Sequence, residues 1–218
     1  MKKLCILLSV ATLLSACYYD ESLDRTVFIP DKDDPNLPAY TEWGYNSFGA
    51  LYERQYFYST GYIVPCKILY RQDSLSVMFQ GALAYEEASL TFTFTPIDTV
   101  TGLAQPVNSL TDLACLNGYR IDLAKDASVV LKVERFQENM TSTVLKSDTL
   151  NVQEGYLHVK RYQEIYVDDR FSRIVLSGEF AFSILREDNF VEAFKYGRFD
   201  VGISSGDFSS VPAVSQGE

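Results

Sequence analysis

Apolar residues recur at every second position over most of this chain, and that period restricts the fold more than any other feature. In the stretch SLTFTFTP, Leu90, Phe92 and Phe94 fall on one side and Thr91, Thr93 and Thr95 on the other. DSLSVMFQ repeats the arrangement, with Leu75, Val77 and Phe79 opposed to Ser74, Ser76 and Met78. Successive side chains of a strand point to opposite faces, so the alternation predicts half-buried antiparallel strands. Pro96 cannot donate to a ladder and ends its strand. The same reading predicts strands over 46–57, 63–71, 129–136, 143–152, 156–167, 173–184 and 195–203. Gly178 falls in the inward row of Ile174, Leu176, Phe180 and Phe182, where a bulge or a close approach is expected. One short helix is predicted from Thr111 to Leu116, stopped by Gly118. About nine strands with at most one or two short helices imply an all-β fold, either an antiparallel β-sandwich or a partly closed barrel.

A different composition precedes the strands. Lys2 and Lys3, an apolar run from Leu4 to Leu14, and the small residues Ser15 and Ala16 before Cys17 make residues 1–16 a signal peptide, too short for a membrane span. The order Leu14-Ser15-Ala16-Cys17 resembles a bacterial lipobox. That resemblance implies cleavage before Cys17, lipidation of its thiol and attachment to the outer membrane; an ordinary cleaved signal with a cysteine at the junction is the alternative. Each buried methylene is worth about 0.8 kcal/mol, so two or three acyl chains would hold the protein at a membrane.

Residues 17–40 carry Asp20, Glu21, Asp31, Asp33 and Asp34, with prolines at 30, 35 and 38, and no helix or strand period survives there. They are expected to form the lipidated cysteine and a flexible acidic tether. Acids directly behind the cysteine resemble the surface-export signal of Bacteroides-type lipoproteins. A calcium loop starting at Asp31 would place Asp33 third and Glu42 twelfth, but Pro35 offers no side-chain oxygen at the fifth place and Asn36 replaces the turn glycine at the sixth. The division expected downstream is a single β domain over 41–205 and a flexible tail over 206–218.

Charge excludes some partners. Loss of Lys2 and Lys3 takes the formal charge from -10 to -12, and no face of clustered Lys and Arg is visible, so no nucleic acid is expected. Such acidity also repels anionic headgroups, leaving lipid on Cys17 as the expected membrane attachment. The mature chain retains Cys66 and Cys115, which either form its one available intramolecular disulfide or serve as ordinary core residues.

Chemistry is thinly signalled. His158 is the only histidine and lies in an alternating segment as a partly exposed strand residue, so a His-rich metal site is excluded. A G-x-S-x-G match at Gly202, Ser204 and Gly206 lacks the following helix and the later acid and histidine of a nucleophile elbow. The adjacent acids Asp168-Asp169 and Glu86-Glu87 are explained by turns and strand ends. No catalytic residue, metal ligand or cofactor is assigned, and the chain is not expected to be an enzyme.

Four short motifs together resemble a group of uncharacterised Bacteroides-type lipoproteins. They are Asn46-Ser47-Phe48-Gly49, where the group has threonine in place of serine; Leu116-Asn117 followed by Ile121-Asp122-Leu123; Gly178 with Phe180; and Gly197-Arg198-Phe199-Asp200. The resemblance implies no catalytic role for any position. The last two motifs lie in a pair of similar stretches, SGEFAFSI and YGRFDVGI, as expected of two adjacent strands of like build. Asp98-Thr99-Val100 resembles the O-glycosylation triplet of such bacteria, with Thr99 as the acceptor.

Aromatic residues make up 14% of the chain, among them fifteen tyrosines and one tryptophan. Strands favour tyrosine and so do ligand surfaces. Trp43, Tyr52, Tyr56 and Tyr58 are the candidates for stacking on a ligand. Two roles follow: an accessory or adhesive subunit that binds an envelope protein, or a surface lipoprotein that binds carbohydrate; a glycoside hydrolase-like enzyme is a third alternative, and it would need two close carboxylates in a buried cleft. Exposed aromatics over a cleft would favour carbohydrate, and an unpaired strand edge without a cleft would favour protein.

Overall fold

The computed structural model describes residues 25–61, 64–98, 101–136 and 142–211. The strands are β1 (Ser47–Tyr52), β2 (Gln55–Tyr58), β3 (Cys66–Arg71), β4 (Ser74–Leu83), β5 (Glu86–Phe94), β6 (Arg120–Asp122), β7 (Ala127–Phe136), β8 (Ser142–Thr149), β9 (Val152–Val167), β10 (Arg170–Leu185), β11 (Val191–Ile203) and β12 (Phe208–Val211). All join one sheet in the order β6-β9-β10-β11-β1-β2-β4-β5-β7-β8, with β3 beside β4 and β12 beside β3. Every pairing is antiparallel except β12 with β3. Among the described residues the helical content is two 3-10 turns, Thr111–Leu116 and Ser205–Asp207.

The sheet curls on itself. Phe92 of β5 and Phe180 of β10 are five strand steps apart in the order, roughly 24 Å on a flat sheet, yet their rings lie 5.3 Å apart. Phe79 of β4 meets Phe199 of β11 at 4.9 Å and stacks on Phe48 of β1 at 4.9 Å. The alternating residues supply this contact: Leu75, Val77, Phe79, Leu90, Phe92 and Phe94 are all buried, as the period predicts. The fold is thus all-β, a half-barrel whose concave face holds one aromatic core.

Two glycines make that core fit. Gly178 of β10 stands opposite Phe199 of β11, and Phe180 stands opposite Gly197. A Cβ on Gly197 would lie 2.6 Å from three atoms of the Phe180 ring, and one on Gly178 would lie 2.5 Å from the Phe199 ring and 2.2 Å from the His158 carbonyl. Each ring therefore lies over the glycine of its neighbour. The β9–β10 register also shifts between Ser177 and Gly178, so the bulge and the close approach expected at this glycine both occur.

Several boundaries differ from those expected. The predicted strand 46–57 is a tight hairpin, because Glu53, at φ 56, turns the chain between β1 and β2. The predicted helix is a single 3-10 run. The expected tether is docked from residue 25 onward: Val27 N–H donates to the Tyr45 carbonyl, Ala39 N–H to the Ile29 carbonyl, and Leu37 is fully buried. Pro38 contributes to this docking by packing in the space beside Gly49, where a Cβ would lie 2.3 Å from its ring. The expected tail begins too early as well, because Asp207 caps its 3-10 turn and residues 208–211 form β12. Residues 1–24, with Cys17, lie outside the described residues, as does Thr99.

Gly197→Ala is expected to lower stability by about 2 to 3 kcal/mol through overpacking, read as a lower urea midpoint. Phe180→Leu added to that variant should cost less than the two changes measured separately, because the pair is in contact.

Candidate functional site

Two of the motif segments come together at β1 and β11, where Ser47, Phe48 and Gly49 pair with Asp200, Phe199 and Arg198. Asp200 is 1% exposed. Its carboxylate accepts hydrogen bonds from the Thr41 hydroxyl (2.6 Å), the Ser177 hydroxyl (3.0 Å) and the backbone N–H groups of Trp43, Gly44 and Tyr45 at 3.0, 2.7 and 3.3 Å. A buried carboxylate is tolerated when charge-assisted hydrogen bonds replace its water. Here those donors fasten the 41–45 segment across the second face of β10 and β11. Arg198 does the same for the segment before it, pairing with Asp31 and donating to the Pro38 carbonyl at 3.1 Å. Asn46, buried at φ 53, accepts from Gly202 N–H at 2.9 Å. This motif cluster is a latch, and its polar groups face one another.

The docked segment forms one wall of an open groove of about 1180 Å³. Val27, Phe28 and Pro35 line this wall, and Tyr56, Tyr58 and the Ala84-Tyr85 turn line the other side. Tyr56 reaches across, its hydroxyl 3.2 Å from both Asp34 carboxylate oxygens, while Tyr58 is 37% exposed. Tyr85 is 102% exposed and forms the β4–β5 turn with Ala84, at φ 71 and 52 respectively. Two-residue hairpins of this kind favour Asn, Asp and Gly, and a bulky residue with positive φ is strained. The Asp168-Asp169 turn between β9 and β10 follows the preference, whereas Ala84-Tyr85 does not. Sequence reasoning passed over Tyr85, although its position midway between two alternating runs marks it as a hairpin residue.

Of the four stacking candidates, only Tyr56 and Tyr58 line the groove. Trp43 is 75% exposed and lies outside its lining. Tyr52 stacks on Phe194 at 4.3 Å and donates its hydroxyl to Glu192, which also pairs with Arg186. Burial and the Glu192 hydrogen bond push its phenol up to about 12, so Tyr52 stays protonated at neutral pH and keeps its hydrogen bond to Glu192. It borders a second, more polar cavity of about 790 Å³ with Asp148, Asn151 and Arg186.

The remaining candidates have structural surroundings. Ser204 of the G-x-S-x-G match donates its hydroxyl to Asp207 at 2.8 Å as the cap of the second 3-10 turn. His158 stands on β9 between Arg120 and Glu179. Asp31, the first position of the calcium-loop register that the sequence fails to complete, accepts from the N–H groups of Asp33 and Asp34 at 3.0 and 3.1 Å. The disulfide alternative for Cys66 and Cys115 is corrected: both thiols are free. Cys66 is buried within the sheet opposite Phe79, whereas Cys115 lies in the first 3-10 turn.

Burial pushes the Cys66 thiol far above its ordinary value, so it should resist alkylation at pH 8 until denaturant is added. Burial also opposes ionisation of Asp31, but the N–H groups of Asp33 and Asp34 and the Arg198 guanidinium outweigh it and hold the carboxyl below its usual range. The stability this carboxylate contributes is therefore present above about pH 4 and is lost as pH falls through the folded-state value. Urea midpoints of wild type and Asp31→Asn should differ at pH 7 and converge in acid. No protein-family model, curated protein or solved structure compared with the chain matches it.

Proposed function

We propose that this chain is a lipid-anchored envelope protein, held by Cys17 at the outer membrane, whose open groove binds carbohydrate without transforming it. The observation that carries this reading is the convergence of Tyr56, Tyr58 and Tyr85 on one groove, with Tyr85 fully exposed on a strained turn. Sugar rings present apolar faces to aromatic rings, and an open groove accepts a chain rather than enclosing a small molecule. Strain kept at an exposed residue without packing of its own is the pattern of a position held for binding. Arg25 in the groove wall lies eight residues after Cys17. Eight extended residues span at most roughly 28 Å, so the groove would work close to the membrane.

A second reading, an accessory or adhesive subunit that contacts an envelope protein, is favoured by the tip of the β9–β10 hairpin. There Tyr166, Val167 and Phe171 are exposed, and Tyr166 packs edge-on against Phe171 at 5.9 Å.

The first experiment is a glycan array probed with the full chain, with each hit titrated against Tyr58→Ala and Tyr85→Gly. Either substitution should weaken binding by about fivefold through lost stacking. Tyr85→Gly should at the same time raise stability by about 1 kcal/mol by relieving the left-handed backbone. Binding unchanged in both variants would sink the groove reading, and recovery of an envelope protein that depends on Tyr166 and Phe171 would support the second.

A further inference from the structure

Acids outnumber bases in this chain by 29 to 19, yet the two charged side chains in the described groove lining are both arginines, Arg25 and Arg54. They come from different elements, Arg25 from the docked segment and Arg54 from the β1–β2 turn. Glu53, beside Arg54 in the turn, accepts from the Ala193 N–H of β11 at 2.8 Å. Asp34 accepts from the Tyr56 hydroxyl and from the Asn36 backbone N–H. The groove therefore offers the exposed Arg54 guanidinium beside aromatic rings on a molecule of net negative charge.

We infer that the ligand is an acidic oligosaccharide, its rings stacked on Tyr58 and Tyr85 and its carboxylate or sulfate paired with the Arg54 guanidinium. This rests on the carbohydrate reading above and adds the charge of the ligand to it. A guanidinium presents a planar fork that matches either anion with two parallel hydrogen bonds, which a neutral sugar cannot accept with equal strength. Exposed Arg54 makes this a contact sensitive to salt.

The test is calorimetric titration of the full chain with matched oligosaccharides that are neutral, uronic-acid-bearing or sulfated, at low and at high salt. Acidic members should bind about tenfold more tightly than their neutral counterparts at low salt. The preference should vanish near 1 M salt, where the screening length is about 3 Å. Arg54→Gln should abolish the preference, so that acidic and neutral members bind alike, and Arg54→Lys should retain part of it. Preference for the uronic acid or for the sulfate alone identifies which anion the groove reads and supports the inference. Equal affinity for neutral and acidic members overturns it while the carbohydrate reading stands. Binding of no member overturns both.

Discussion

Reciprocal placement of a phenylalanine over a glycine on β10 and β11 is the constraint from which the rest of the structure follows. Phe199 lies over Gly178 and Phe180 over Gly197, each where no Cβ can fit. With the two rings seated close to the sheet, Phe79 and Phe92 from the far arm reach them, and the sheet closes on one aromatic core. Protein interiors are close-packed, so a single added methyl at either glycine displaces a ring that several strands share. The likeness between SGEFAFSI and YGRFDVGI thus has a physical cause. Each supplies the glycine that the other's phenylalanine needs.

The opposite face of these strands is covered by a different kind of interaction. Five donors converge on Asp200, and Arg198 grips the Asp31 carboxylate and the Pro38 carbonyl. Polar contacts of this sort are directional, and they fix where the segment before β1 runs more narrowly than apolar packing would. That segment supplies one wall of the groove. Arg198-Phe199-Asp200 therefore contributes to both faces: its phenylalanine to the core and its two charged neighbours to the latch. The Gly-Arg-Phe-Asp motif reads as architecture, and the groove residues lie outside it.

The other wall carries backbone strain of its own. Most positive-φ positions in the tight turns carry Asp, Gln, Glu or Asn, but the β4–β5 turn carries Ala84 and Tyr85. A tyrosine there costs stability and gains no packing from the fold, since its ring lies wholly in solvent. Tyr58, on the neighbouring strand β2, is brought near by the pairing of Tyr58 with Ala82 on β4. The groove thus depends on the same sheet geometry that builds the core.

The period of the apolar residues determined the all-β class, the inward rows of β4, β5 and β10, and the place of the 3-10 run, because these depend on local alternation and local stop signals. The same period missed the β1–β2 turn, since Glu53 and Arg54 look like strand residues until a positive φ reverses the chain. It also left 25–40 as a tether. Those residues have no period of their own, and their order comes from Arg198, some 160 positions away in the chain. Tertiary structure alone decided that Tyr56 and Tyr58 share a groove with Tyr85 while Tyr52 packs on Phe194, and that Cys66 and Cys115 remain apart as thiols. Such outcomes depend on which distant strands meet when the sheet curls, and contacts across a curled sheet leave no period in the sequence.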